Sequence, residues 1–408
     1  MKTNVYSSFV LPNGLRCVCC NIDTAAEYCG LVVDTGSRDE TSEQEGLAHF
    51  VEHTIFKGTD RRRSWHIINR MESVGGELNA YTTKEATAVY SIFPGGNLNR
   101  ALDLIADLVC GSRFPQAEID KERDVVADEI NSYLDMPSEA VFDDFDDLIF
   151  AGSSLGHNIL GRLDTLRGFS SEVCREYLSS RYTPGRMVLF YLGRESVGRF
   201  ERYAMRYFGH MHHADRLTER CEPVTVEPFC QRRDVGSHQA HTVVGGRIGS
   251  MYSEDRFATA LLTNIIGGPG MNSMLNVEMR ERRGLVYSVE ASPTLYTDCG
   301  LLSIYYGCDP EDVDRCRRII DSTLTRLATD KLTPRRLEAA KRQYIGQLSV
   351  AADSRESIAL GMARAMLYHN ELPNRELTNR RISDVTAEDL RDAAQRLAPI
   401  GLSQLTLG

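Results

Sequence analysis

Strand-length apolar runs open the chain. Val5 to Val10 and Leu15 to Ile22 flank the turn-forming Pro12-Asn13-Gly14, and a third run follows at Tyr28 to Val33. The period then lengthens. Glu43 to Phe56 and Trp65 to Val74 read as helices, whereas Glu77 to Thr83 and Thr87 to Phe93 read as strands closed by Pro94-Gly95-Gly96. Long helical patterns run from Asn97 to Tyr133, restarted at Pro115, and from Ser138 to Phe150. A helix from Ser170 to Ser180, the break Tyr182-Thr183-Pro184-Gly185, the strand Met187 to Leu192 and a short helix to Tyr207 complete the set.

The order then repeats. Tyr90-Ser91-Ile92-Phe93 with Asn97 to Leu108 is echoed by Leu302-Ser303-Ile304-Tyr305 with Glu311 to Leu324. Leu166 to Tyr177, with Ser171-Glu172, is echoed by Ile382 to Ala393, with Ala387-Glu388. Offsets of about 210 to 220 residues are too long for a solenoid repeat and suit a duplicated domain. The expected fold is α+β, with two duplicated domains, each a mostly antiparallel sheet packed against several helices. The N-terminal domain is expected over 1-210, a polar linker with His212-His213 over 211-224, and the C-terminal domain over 225-408.

Composition fits that picture. The 408 residues are 42% hydrophobic and 25% charged, an ordinary globular balance with room for two or three domains at roughly 150 residues each. With 47 Lys+Arg against 57 Asp+Glu the net charge is -10, which repels a phosphate backbone, so no nucleic-acid partner is expected. Arg61, Arg62 and Arg63, the one dense basic run, read as solvated surface. The eleven cysteines are odd in number and irregularly placed, which implies no disulfide framework and suits a reducing compartment. Cys17, Cys19 and Cys20 lack a second pair at zinc-ribbon spacing and read as buried strand thiols. No uninterrupted apolar h-region opens the chain, and no stretch approaches the roughly 18 apolar residues of a membrane span. A cytoplasmic protein that enters its fold almost at once is expected.

The chemistry sits on the first helical pattern. His49-Phe50-Val51-Glu52-His53 is H-x-x-E-H, and at about 100° per residue the two histidines share one face a turn apart, with Glu52 beside them. One ion can meet both imidazoles. A catalytic zinc needs a third protein ligand and leaves a fourth position to water, where a neighbouring carboxylate serves as general base. Incidental spacing of two helix histidines is the alternative on these five residues alone.

The motif, its flanks Gly46-Leu47-Ala48 and Phe56-Lys57-Gly58, and Gly75-Gly76-Glu77-Leu78-Asn79-Ala80-Tyr81-Thr82 together resemble the inverted zincin peptidases. That group includes mitochondrial processing peptidase, pitrilysin and insulin-degrading enzyme. The resemblance implies zinc held by His49, His53 and a downstream glutamate at Glu129, with Glu52 activating water. Glu122, seven residues before Glu129, returns to nearly the same helical face about 10 Å away, too far to ligate the same ion. It matches the family's accessory glutamate. Arg280-Glu281-Arg282-Arg283-Gly284-Leu285-Val286-Tyr287 resembles the family element in which Arg280 and Tyr287 bind substrate and polarise the scissile carbonyl; a helix C-terminal Gly284 with a strand beginning at Tyr287 is the plain alternative. Asn79, Ala80, Tyr81 and Thr82 match the edge strand to which an extended peptide adds itself, or form an ordinary sheet strand.

Duplication supplies an internal control. His49, Glu52 and His53 fall opposite Thr259, Leu262 and Thr263, and Glu129 opposite Leu348, so the second half carries no zinc set. Gly267-Gly268-Pro269-Gly270 lacks the lysine and hydroxyl of a phosphate-binding loop and reads as a hinge or substrate-facing loop. His157, within a segment that also matches the family, reads as structural; His238 and His241 have no convincing partners. The resemblance implies a closing chamber of four such domains, hence a homodimer, or a heterodimer with a paralogous subunit. Expected substrates are unfolded peptides or presequence-like segments, basic ones favoured by the acidic balance. The alternatives are a non-catalytic structural subunit of the same superfamily and a peptide-binding protein that holds metal without efficient turnover.

Overall fold

The computed structural model describes residues 5–212, 220–397 and 401–408. Residues 213–219 of the expected 211-224 linker, His213 among them, lie outside the described residues. The chain forms two compact units: Met1–Asn131 with His157–Glu219 and Ala351–Pro373, and Ser132–Gly156 with Arg220–Val350 and Asn374–Gly408.

The first unit is built on a six-stranded sheet of order β1-β2-β6-β3-β5-β4. Its strands are β1 (Val5–Val10), β2 (Arg16–Asn21), β3 (Ala26–Val33), β4 (Glu77–Thr82), β5 (Thr87–Pro94) and β6 (Met187–Gly193). All neighbours are antiparallel except β2 and β6. β6 is buried at every position because both faces of the sheet are covered. On one face Cys17, Cys19 and Leu189 pack against helices that include Leu47–Thr54, Leu98–Gly111 and Val197–Phe208. On the other, Val18, Cys20, Val32 and Phe190 meet Ala359, Met362, Ala363 and Met366 of the helix Arg355–His369. The three early cysteines are thus buried strand thiols, and burial pushes Cys19 and Cys20 up to about 11.

The second unit repeats the plan in five strands: β7 (Cys230–Arg233), β8 (Ala240–Ile248), β9 (Val286–Leu295), β10 (Gly300–Cys308) and β11 (Ser403–Leu407), in the order β7-β11-β8-β10-β9. The run β11-β8-β10-β9 matches β6-β3-β5-β4, and the parallel pair β7/β11 matches β2/β6. The α+β reading of two like domains with mostly antiparallel sheets describes this architecture. Val243, Leu301 and Leu405 on one face of this sheet are covered by Val141, Phe145 and Ile149 of the helix Pro137–Ile149.

Each unit therefore includes a helix from the chain's other half. The spans 1-210 and 225-408 follow the order of the repeats along the chain, whereas in packing 132–156 goes with the second unit and 351–373 with the first. Helical periodicity marks a buried stripe but carries no record of which sheet buries it.

Two local expectations change. The helix expected over Glu43 to Phe56 spans Leu47–Thr54, because Gly46 adopts φ +92 where helix would have to continue. The arginine run is not simply solvated: Arg62 Nη1 lies 2.5 Å from Asp107 Oδ2 and Arg61 Nη2 3.0 Å from Asp103 Oδ1, both aspartates being buried. Among the described residues, no helix is long and apolar enough to cross a membrane.

Candidate metal centre

The helix Leu47–Thr54 is seated at its N-terminus before it presents any side chain. A Cβ on Gly46 would stand 2.6 Å from the Leu160 carbonyl oxygen, so only glycine fits there. The Glu40 carboxylate accepts from the Gly46 amide at 2.9 Å and from the Ala48 amide at 2.6 Å, and His157 Nε2 lies 3.0 Å from Glu40 Oε2. Burial pushes the Glu40 carboxyl up, opposed by these same bonds.

One turn along, the rings of His49 and His53 stand 4.5 Å apart between centroids. Glu129, on the helix Gln116–Leu134, brings Oε1 to 3.9 Å from His49 Nε2 and Oε2 to 3.5 Å from His53 Nε2. Among the described residues, this is the one cluster of three or more His, Cys, Asp or Glu side chains whose ligand atoms gather, all within 4.8 Å. Donors on a tetrahedral zinc with bonds of 2.0 to 2.1 Å stand about 3.3 Å from one another. The nitrogen-to-carboxylate separations are close to that and too long for hydrogen bonds. Burial, then the neighbouring His53, lowers His49 to about 4, which leaves the neutral imidazole that binds metal. The donor set fits a zinc ion.

Around these three, two acidic side chains are held in distinct ways. Glu52 Oε2 accepts from Thr82 Oγ1 at 2.6 Å, and burial pushes its carboxyl above the usual carboxylate range against the pull of that bond and of His53. Glu122 stands behind His53, with Oε1 3.1 Å from Nδ1, and its Oε2 is 2.7 Å from Lys57 Nζ. This contact leaves His53 Nε2 as the nitrogen facing Glu129. Lys57, Thr82 as partner of Glu52, and Glu40 are site contacts that spacing along the sequence did not single out.

Asn79, Ala80, Tyr81 and Thr82 lie on β4, the last strand of its sheet, paired with β5 alone among the described residues. Leu78 and Ala80 pack on the face that carries Leu47–Thr54, and Tyr81 on the face covered by Arg355–His369. Beside the strand a cavity of about 220 Å³ is lined by His53, Phe56, Lys57, Ile68, Glu72 and Leu78 among others.

Arg280 and Tyr287 belong to the second unit. Arg280 lies exposed on a π-helical turn, Asn276–Glu281, and Tyr287 lies on β9, the edge strand that matches β4. Tyr287 is 56% exposed, and its hydroxyl donates to Asp309 Oδ1 at 2.9 Å. The helix Arg256–Gly267, which takes the place of Leu47–Thr54, buries Thr259, Leu262 and Thr263, so the positions of His49, Glu52 and His53 in one unit are packing positions in the other. His241 Nδ1 lies 2.8 Å from the Tyr305 hydroxyl, a partner the sequence did not suggest.

Comparison with known proteins gives a concordant result. Residues 19–162 match the family model described as insulinase, peptidase family M16, and residues 168–344 match the one described as peptidase M16 inactive domain. The chain is 33% identical to an uncharacterized zinc protease of Bacillus subtilis over 86% of its own length and 85% of that protein's. It is 29% identical to the beta subunit of the mitochondrial-processing peptidase of Caenorhabditis elegans, covering 95% of this chain and 86% of that one. In fold it is similar to a protease from Helicobacter pylori, with a TM-score of 0.90 at 20% identity over 99% of both chains. The chain belongs to the insulinase family of peptidases, family M16.

Proposed function

We propose that the protein is a zinc-dependent endopeptidase that cleaves unfolded peptides or presequence-like segments. The observation that carries this reading is the carboxylate of Glu52, held by Thr82 beside a two-histidine, one-glutamate donor cluster. His49, His53 and Glu129 would hold the ion. When bound, zinc acidifies a coordinated water and polarises a carbonyl oxygen.

The chain's own residues supply the rest. Glu52 takes the proton of the attacking water and returns it to the leaving amine. Its burial favours the first of these transfers, because a carboxylate with raised pKa is the stronger base towards the water. Glu122 keeps the ring of His53 oriented. The edge of β4, which pairs with β5 alone among the described residues, offers backbone donors and acceptors to an extended peptide, so Asn79, Ala80, Tyr81 and Thr82 would bind main chain and tolerate varied side chains. Arg280 and Tyr287 would donate to the scissile carbonyl oxygen as charge develops there.

A chamber of four domains calls for two chains, and a homodimer is the simplest assembly because one chain carries both the donor cluster and the Arg280/Tyr287 pair. A heterodimer with a paralogous subunit is favoured instead by the likeness to a protein named as a subunit. Eleven free thiols support a reducing compartment such as the cytoplasm.

The test is cleavage of a mixed peptide library read by mass spectrometry, with zinc content and sedimentation measured on the same preparation. Cleavage abolished by Glu52→Gln and by chelation, with about one zinc per chain, is expected. Zinc bound by a dimer that cleaves no peptide would point to a non-catalytic or partner-dependent subunit, and a protein without zinc would refute the assignment.

A further inference from the structure

We propose that Glu40 and His157 are positioning residues of the metal centre: His157 aims the Glu40 carboxylate, which fixes the N-terminus of the helix Leu47–Thr54 and so the direction in which His49 faces the ion. The proposal rests on the zinc-peptidase reading and adds two residues to it.

A helix of eight residues has little stiffness of its own, and its first amides have no partners within it. Its N-cap residue is Gly46, which has no side chain to accept them. The Glu40 carboxylate replaces the missing cap, with one oxygen on the Gly46 amide and the other on the Ala48 amide. An anion there also suits the helix dipole. Ala48 directly precedes His49, so the bond that anchors its amide sets the backbone from which the first ligand projects.

An ordinary cap is local and stands at the solvent edge. Glu40 is a buried carboxylate that needs a third partner, and that partner, His157, comes from 117 residues away. His157 is itself fixed, because its carbonyl oxygen accepts from Lys84 Nζ at 2.5 Å. Lys84 lies in the turn between β4 and β5, two residues beyond the Thr82 that holds Glu52. One histidine thus ties the helix bearing His49 and His53 to the end of the strand that steadies the general base. Backbone closure completes the seat: a Cβ on Gly161 would stand 2.2 Å from the Glu45 carbonyl oxygen, and Thr165 Oγ1 donates to the same oxygen at 2.7 Å.

The experiment measures zinc affinity of the full-length protein by competition with a chromophoric chelator for the parent, His157→Ala, His157→Gln and Glu40→Gln. Thermal melts of the metal-free proteins and kcat and KM on a cleaved peptide accompany it. His157→Ala is expected to lose about tenfold or more in zinc affinity and in kcat with KM changed by less than about twofold. His157→Gln, whose amide can still donate to Glu40, restores most of both. Should His157→Ala fail to fold, Glu40→Gln, of the same size but with one acceptor oxygen fewer, is expected to show the same loss. A core control in the second unit, Leu324→Ala, lowers the melting temperature without moving zinc affinity.

Zinc affinity unchanged in folded His157→Ala or Glu40→Gln, or lost equally in Leu324→Ala, overturns the proposal and leaves the peptidase reading standing. Affinity differences in a protein that cleaves no peptide support the positioning role and overturn the peptidase reading. A parent that binds no zinc ends both.

Discussion

Thr82 Oγ1 donates to Glu52 Oε2 at 2.6 Å, so the last residue of an edge strand steadies the carboxylate next to His53. A hydrogen bond to a charged group contributes about 1.5 to 3 kcal/mol, or roughly ten- to a hundredfold in a rate that depends on it. Thr82→Val, which keeps the shape and removes the hydroxyl, is expected to lower kcat by that factor while zinc content stays that of the parent. Thr82→Ser should recover most of the rate. Steady-state kinetics with metal analysis decide the matter, and an undiminished kcat in Thr82→Val would reduce the contact to strand packing.

Glu122 acts on the other side of the motif. With one oxygen on His53 Nδ1 and the other on Lys57 Nζ, it fixes the ring through which Nε2 faces Glu129. Glu122→Ala should cost about 10- to 100-fold in zinc affinity, the usual loss when the outer partner of a ligating histidine is removed. It also strands Lys57 without its partner, so Glu122→Gln is the milder variant. Chelator competition at one pH measures both, and parental affinity in both variants would show that His53 needs no such support.

The metal-free protein should lose stability as pH falls from about 6.5 to about 4. Burial holds His49 near 4, whereas an imidazole in the unfolded chain titrates near 6.5, so in that window the unfolded state takes up a proton that the folded state refuses. The loss reaches about 3.5 kcal/mol at most, since one pKa unit is worth about 1.4 kcal/mol. Glu52, raised by burial, works in the opposite sense, because its folded form takes up a proton first. Urea unfolding of the parent against His49→Gln cancels Glu52 and isolates the histidine. Identical pH slopes in the two proteins would contradict the buried neutral ring.

A fragment ending at residue 210 should not yield a soluble first unit. It lacks the helix Arg355–His369, and Val18, Val32, Val188, Phe190 and Leu192 would face water. Aggregation of the fragment, relieved by a peptide of residues 351–373 added in trans, is the expected sedimentation result. A monomeric, cooperatively melting fragment would show that the second layer is dispensable.

What the sequence discloses about this site is what lies within one element or recurs at one period. His49, Glu52 and His53 are legible because four residues of helix bring side chains to one face, and β4 is legible because its alternation and its glycine turn are local. Glu129 enters by resemblance, and its approach to within 3.9 Å of both histidines is a property of the packed helices. His157 reads as an isolated loop histidine because its partner, Glu40, is 117 residues away and no periodicity links them. The early start expected for the metal helix has the same cause: nothing near Gly46 in sequence reveals that the Leu160 carbonyl will press on it.

The exchanged helices bear on how such a chain can arise. Pro137–Ile149 follows Gln116–Leu134 as Arg355–His369 follows Pro334–Ala351, so the two helices that change units occupy the same place in the two repeats. Two like protomers that trade the same element form a swapped dimer. Joined end to end in one polypeptide, they need no encounter in solution to make the trade, and dilution cannot undo it. A pair of identical subunits fused in this way is also freed from symmetry: one copy can keep its histidines while the other replaces them with threonines and specialises in something else.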